Sequence, residues 1–159
     1  MARIVDVVEF SLGKEHYALD IQLAREIVEM IPITPLPRSP GYLAGIVNLR
    51  GEITNVINLN VLIGLHGGET VENQKIIVLV PDAGGGSNVG IIVDDVSSVR
   101  QVAEEDVDTM EGTALSVAYV KGIIKVGAEE ETGTRDADRT DLIIWLDVQR
   151  LLRELVASA

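Results

Sequence analysis

Pro32, Pro35, Pro37 and Pro40 crowd into one short stretch and are four of the chain's five prolines. Proline fixes φ and offers no amide hydrogen, so neither a helix nor a sheet ladder can run through them. The stretch has to be an extended connection, and the chain must build its regular structure separately on either side.

Both sides read as β. In RIVDVVEFSL, residues 3–12, Ile4, Val8, Phe10 and Leu12 share one face at period two. Gly13-Lys14-Glu15 supplies a turn, and HYALDI at 16–21 the return strand. QLAREIVEMI mixes helical spacing (Leu23, Ile27, Met30) with the strand-like Ile27-Val28 and Ile31. It reads as one helical turn near Gln22–Ala24, then a strand from about Arg25 to Ile31. Beyond the prolines, strands over 45–50 and 52–59 meet at an Arg50-Gly51 turn. NVLIGL follows as a short helix, with Asn58 or Asn60 as cap and Gly64 at the C′ position. KIIVLV at 75–80 and NVGIIVD at 88–94 make a second hairpin around PDAGGGS, VSSVRQV continues as a strand, and AEEDVDTMEG reads as solvated. Strands at 119–127 and 142–147 follow. Asp147 then caps a closing helix whose Val148, Leu151, Leu152 and Leu155 share a face.

The core these strands can build is aliphatic, because apolar residues make up 47% of the chain and aromatics only 3%. Val and Ile are stiff at χ1 and suit pleated surfaces, which sets the class as mainly β. A length of 159 residues fits one domain, or two small subdomains sharing a core. An internal echo favours the second arrangement. Tyr42-Leu43-Ala44-Gly45-Ile46-Val47 matches Tyr119-Val120-Lys121-Gly122-Ile123-Ile124, and Ile57-Asn58-Leu59-Asn60-Val61 roughly matches Ile144-Trp145-Leu146-Asp147-Val148. Each copy reads strand, turn, strand, capped helix. The second is longer, and the excess falls in the acidic loop at 128–141.

The net charge of −12 repels nucleic acid and anionic membranes, so neither is an expected partner. The absence of cysteine excludes a disulfide frame, a thiolate zinc site and a cysteine nucleophile. No leader pattern opens the chain and no apolar run approaches membrane-spanning length, so the expectation is a soluble, cytoplasmic protein. Catalytic chemistry is missing as well. His16 and His66 are isolated, near turns. Gly84-Gly85-Gly86 lacks the following lysine and helix of a phosphate cradle, and no Gly-x-Ser-x-Gly elbow occurs. Asp136, Asp138 and Asp141 approach a calcium-loop spacing without its central glycine or closing glutamate, so no metal and no cofactor are expected. What remains is the polarity of GIVNLRGEITNVINL. Asn48 and Arg50 can be turn residues that satisfy local backbone groups. Alternatively, Arg50 and Glu26 rim a groove that receives another protein. Spacing alone leaves both readings open.

GYLAGIVNLRGEITNVINL resembles the signature of the CheW family of chemotaxis coupling proteins. FSLGKEHYALDIQLAREIVEMIPITPLPRSPGYLAG is similar to the first half of that family, VGIIVDDVSSV at 89–99 to its second signature, and YVKGIIKV with LIIWLDVQRLL to its closing segment. Asn55, Asn58 and Asn60 depart from the family's usual Pro, Asp and Arg, changes that read as helix capping. The resemblance implies two SH3-like five-stranded β-barrels, intertwined in one domain over 1–159 around a shared aliphatic core. It implies a non-catalytic adaptor, a monomer in isolation, that couples the histidine kinase CheA, through its regulatory domain, to the cytoplasmic tips of methyl-accepting chemoreceptors. Glu26, Ile27, Asn48, Arg50, Val96 and Val99 would line or support the receptor groove, and Gly45 would serve coupling and kinase contact. The 159 residues leave no room for the fused kinase or receiver domain found in some members, so a standalone adaptor is the expectation. The alternative is a β-barrel that senses a small ligand, which would need a concave apolar pocket with convergent polar groups.

Overall fold

The computed structural model describes residues 4–13, 15–62, 74–81, 88–108, 120–127 and 140–157. The chain opens with β1 (Ile4–Leu12) and β2 (Glu15–Asp20), a 3₁₀ turn at Ile21–Leu23, and β3 (Ala24–Glu29). After the proline stretch come β4 (Leu43–Leu49), β5 (Glu52–Asn58), helix α1 (Leu59–Leu62), β6 (Lys75–Leu79) and β7 (Val89–Val93). The final third holds β8 (Asp95–Ala103), a 3₁₀ turn at Glu104–Asp106, β9 (Val107–Asp108), β10 (Val120–Gly127), β11 (Thr140–Leu146) and helix α2 (Val148–Ala157).

These strands form two sheets, ordered β8-β1-β2-β11-β10-β9 and β3-β6-β7-β5-β4. The second sheet comes from one continuous stretch of chain, whereas the first combines the opening hairpin with everything from β8 onwards. Each sheet joins hairpins through one parallel pairing, β2 with β11 and β5 with β7. The chain therefore crosses from one sheet to the other at β3 and again at β8, and both crossing strands end up as sheet edges.

Three apolar clusters explain why so many strands are apolar on both faces. Val7, Ala18, Val102, Ile124, Ile143 and Trp145 fill the first sheet's own interior. Val47, Val56, Ile76, Val78 and Ile92 fill that of the second. Between the sheets lies a larger core that includes Val8, Phe10, Leu12, Leu19, Ile77, Ile91 and Leu146, sealed by Val148, Leu151 and Leu152 of α2. Consecutive residues thus serve different cores: Ile76 belongs to the interior of its own sheet and Ile77 to the shared one. Clusters that draw on both edges of a sheet mean that each sheet rolls up. The result is two SH3-like β subdomains packed on a common aliphatic core. Phe10 and Tyr17 stack within that core, ring centroids 6.1 Å apart. Burial raises the Tyr17 phenol above its ordinary pKa, with a smaller push from the Glu15 carboxylate.

The echo between the two hairpin–helix units has a structural basis. In both, the register slips at the matching glycine, between Leu43 and Gly45 on β4 and between Val120 and Gly122 on β10. Gly45 has φ 148, and a Cβ there would collide with the Thr34 carbonyl oxygen and lie 2.7 Å from Ile33 Cγ2. A Cβ at Gly122 would collide with Val107 and fall 2.9 Å from the Asp108 carbonyl oxygen. Each glycine lets a neighbouring segment approach the strand: Thr34 forms an isolated bridge to Ile46, and β9 pairs with β10. No helix or ladder runs through the proline stretch, as its composition requires, but it is not extended throughout: Thr34 makes one bridge, and the chain turns at Pro37-Arg38, where Arg38 has φ 58, and again at Gly41-Tyr42. Each helix also carries its cap, since Asn58 Oδ1 accepts the Asn60 N–H at 3.1 Å and Asp147 Oδ1 the Arg150 N–H at 3.1 Å. Gly64 and the Leu155 side chain lie outside the described set.

Two expectations need correction. Ile4 keeps the parity of Val8, Phe10 and Leu12 but extends past the covered part of the face and is 63% exposed. The segment read as solvated after β8 is structured over 104–108, because Val107 packs against the first sheet's interior.

Candidate functional site

Strand β3 organises the candidate site, because its two faces serve different surroundings. Glu26 stands opposite Val78, on the side of the second sheet's own interior, whereas Ile27 stands opposite Ile77 of the shared core. A bulge between Ala24 and Glu26 interrupts the alternation just before this pair.

At the far end of the sheet, Leu49 pairs with Glu52, so the β4–β5 hairpin closes on only Arg50 and Gly51. Both have positive φ, 52° and 84°. A two-residue hairpin with both φ values positive is a type I′ turn, whose first position suits Asn, Asp or Gly. Arginine there costs about 1–2 kcal/mol. Its neighbours hold it in place. Asn48 Oδ1 accepts the Gly51 N–H at 2.9 Å, and Arg50 Nη2 lies 2.8 Å from Glu26 Oε2. Alongside, Arg25 Nη1 lies 3.4 Å from Glu52 Oε2. These two ion pairs tie the β3 edge to the hairpin tip at the sheet's other end, across the seam where the barrel closes. They border a concavity of about 170 Å³ completed by Leu49, Thr54, Val78 and Asn88. Arg50's side chain is 74% exposed while that of Glu26 is 20% exposed, so the guanidinium caps a carboxylate that is otherwise largely enclosed. Arg50 is thus both a turn residue and one border of a concavity.

The apolar members of the predicted set lie on the other side of β3. Ile27 is 42% exposed. On β8, a bulge between the partners of Glu9 and Phe10 sets Val96 opposite Phe10 and Val99 opposite Val8. Without it, residues three apart would face opposite ways. With it, both valines share the face of the common core. Val96 packs against that core and Val99 is 56% exposed. Two edge strands from different sheets thus each leave an aliphatic residue uncovered beside the shared core. Gly45 is buried, so its contribution is the approach of the Thr34 segment and not a surface of its own.

Two polar clusters escaped the sequence reading. Glu9 is 6% exposed, with Arg100 Nε 2.6 Å from Oε1 and His16 Nδ1 3.1 Å from Oε2 in poor hydrogen-bond geometry. The available signal was an acid inside the apolar run VVEF. Asp20 accepts the Trp145 indole N–H at 2.6 Å and pairs with Lys121 at 2.9 Å, while that ammonium lies 5.2 Å from the indole centroid. Beside them is a concavity of about 370 Å³ lined by Asp6, Glu104, Ile4 and Ile21 among others. Asp94 and Asp95 each satisfy a backbone amide: Asp94 accepts the Gly13 N–H, and Asp95 the Val96 N–H. His66, Gly84-Gly85-Gly86, Asp136 and Asp138 lie outside the described residues. Among the described residues no group of three His, Asp or Glu is placed to hold a metal, and no helix is long and apolar enough to cross a membrane.

Two rolled sheets on a common core, with charge-closed seams and aliphatic side chains left bare on edge strands, define a small β scaffold. The CheW-like domain model matches residues 6–156, and the chain belongs to this family of chemotaxis coupling adaptors. It is 32% identical over 152 residues to chemotaxis protein CheW of Treponema pallidum, covering 91% of this chain and 80% of the relative. Identity to chemotaxis protein CheW of Thermotoga maritima is 27% over 153 residues, covering 96% and 91%. The crystal structure of the scaffolding protein TtCheW from Thermoanaerobacter tengcongensis superposes with a TM-score of 0.72 at 30% identity, covering 91% and 89%. The small-ligand sensor is not favoured, since the matching domain model, relatives and structure are those of coupling and scaffolding proteins.

Proposed function

We propose that this chain, acting as one unit, joins the cytoplasmic tips of methyl-accepting chemoreceptors to the regulatory domain of the histidine kinase CheA. It performs no catalysis and needs no cofactor; it is cytoplasmic, a monomer in isolation, and receptors recruit it to the membrane. Ile27, Val96 and Val99 supply the apolar contact for the receptor tip. Glu26, Asn48 and Arg50 hold the neighbouring rim in shape and offer a guanidinium to the partner. Gly45 acts on coupling by letting the Thr34 segment close on β4. The observation that carries this reading is the uncovered pair Ile27 and Val99, 42% and 56% exposed on edge strands of different sheets. On this reading the two residues belong to one contiguous apolar patch, the kind of surface that another protein covers. The test is titration of the purified protein against a receptor-tip fragment and, separately, against the kinase regulatory domain. Saturable binding to both is expected. Failure to bind the receptor fragment, or ATP turnover that a point mutation in this chain abolishes, would overturn the reading.

A further inference from the structure

Lys75 opens β6, and its side chain is only 24% exposed. Its ammonium sits between two carboxylates, 3.5 Å from Asp95 Oδ1 and 3.9 Å from Glu29 Oε2. Glu29 ends β3 and Asp95 begins β8, so one cation binds the two edge strands that carry Ile27 and Val99, each from a different sheet. Next to it, Gln74 Nε2 donates to Asp94 Oδ1 at 3.3 Å. Asp94 Oδ2 accepts the Gly13 N–H at 2.5 Å, which anchors the same corner to the β1–β2 turn.

We infer that Lys75 is a positioning residue: by clasping Glu29 and Asp95 it sets the spacing of β3 and β8, and so the width of the surface between Ile27 and Val99. The electrostatics favour such a clasp. Without the ammonium, Glu29 and Asp95 are two like charges at the meeting of the two edges, in a chain of net charge −12, and they drive the edges apart. Both carboxylates are well exposed, 79% and 64%, so salt weakens the clasp. Lys75 itself is too enclosed to be a principal contact; it acts through the strands it holds. This inference rests on the receptor-docking reading above, and the experiment separates the two.

The chain has no cysteine, so Ile27→Cys with Val99→Cys gives a clean pair of spin-label sites for measuring the distance between the strands. Lys75→Met keeps the length of the stem and removes the charge; Lys75→Arg keeps the charge. In the labelled protein, Lys75→Met is expected to lengthen and broaden the distance distribution, and Lys75→Arg to restore it. In otherwise native protein, Lys75→Met should weaken receptor-tip binding about fivefold, the equivalent of a partly exposed ion pair, and leave kinase-domain binding unchanged. The difference between native and Lys75→Met should vanish in high salt. An unchanged distance distribution in Lys75→Met overturns the clasp, whatever the binding shows. A widened distribution with native receptor affinity overturns its role in docking. If the native protein fails to bind the receptor tip, the docking reading falls, and the distance measurement still decides the clasp.

Discussion

Replacing Arg50 by glycine separates recognition from stability, because the structure assigns opposite signs to the two. Arg50 sits at φ 52 in the two-residue turn, a conformation glycine adopts freely. Arg50→Gly therefore relieves about 1 kcal/mol of backbone strain. It also removes the 2.8 Å pair with Glu26, but the Arg50 side chain is 74% exposed, which limits that loss to about 1 kcal/mol. The two nearly cancel, so the melting midpoint should stay within about 4 °C of native. Arg50→Ala keeps the strain and loses the pair, so it should melt below Arg50→Gly. Receptor affinity follows a different rule. An exposed charged group lost from the rim of an interface costs about 1 kcal/mol, close to fivefold. Arg50→Glu should be worse still, since it sets a third carboxylate beside Glu26 and Glu52. Calorimetric melting of the three variants, followed by titration against a receptor-tip fragment, reads both quantities. An Arg50→Gly protein that melts normally and binds receptor with native affinity would refute the argument, because Arg50 would then only close a turn.

Other perturbations test particular contacts. Gly45→Ala forces a Cβ against the Thr34 carbonyl oxygen at a φ that alanine avoids, and should lower stability by about 2 kcal/mol or more, read from the urea midpoint. Gly127 pairs directly with Thr140, so a two-residue Asn-Gly turn can replace the acidic loop between them. That deletion should leave melting and kinase-domain binding near native, and lost binding in a folded deletion would place the loop at the interface. The buried Tyr17 phenol has a raised pKa, so its contribution to stability is intact below pH 10 and is lost as pH rises further. Urea midpoints should fall as pH rises above 10, and fall less in Tyr17→Phe.

Local features of the fold were legible because local chemistry decides them. The Arg50-Gly51 turn, the caps Asn58 and Asp147, and the break in regular structure at the prolines each follow from a few neighbouring residues. The matching slips at Gly45 and Gly122 give the repeated YxxGI pattern its meaning. Long-range features left no comparable trace. Nothing in HYALD or LIIWL announces that β2 and β11 pair in parallel, or that Asp20 receives the indole of Trp145. The bulge that turns Val96 and Val99 to one face lies among ordinary serines, and β9 is hidden in an acidic run. The charged and apolar halves of the site were named together, yet they occupy opposite sides of β3. Only the pairing of Glu26 with Val78 and of Ile27 with Ile77 reveals this.

A coupling protein must bridge receptor and kinase. Receptor-bearing membranes, the purified kinase and this protein can be mixed and sedimented, and the pelleted kinase measured with and without the protein. The kinase should pellet in proportion to added protein up to saturation. Arg50→Glu should clearly reduce that recovery while still binding the kinase regulatory domain in solution. Kinase recovery independent of this protein, or undiminished with a folded Arg50→Glu variant, would contradict the coupling role assigned to this surface.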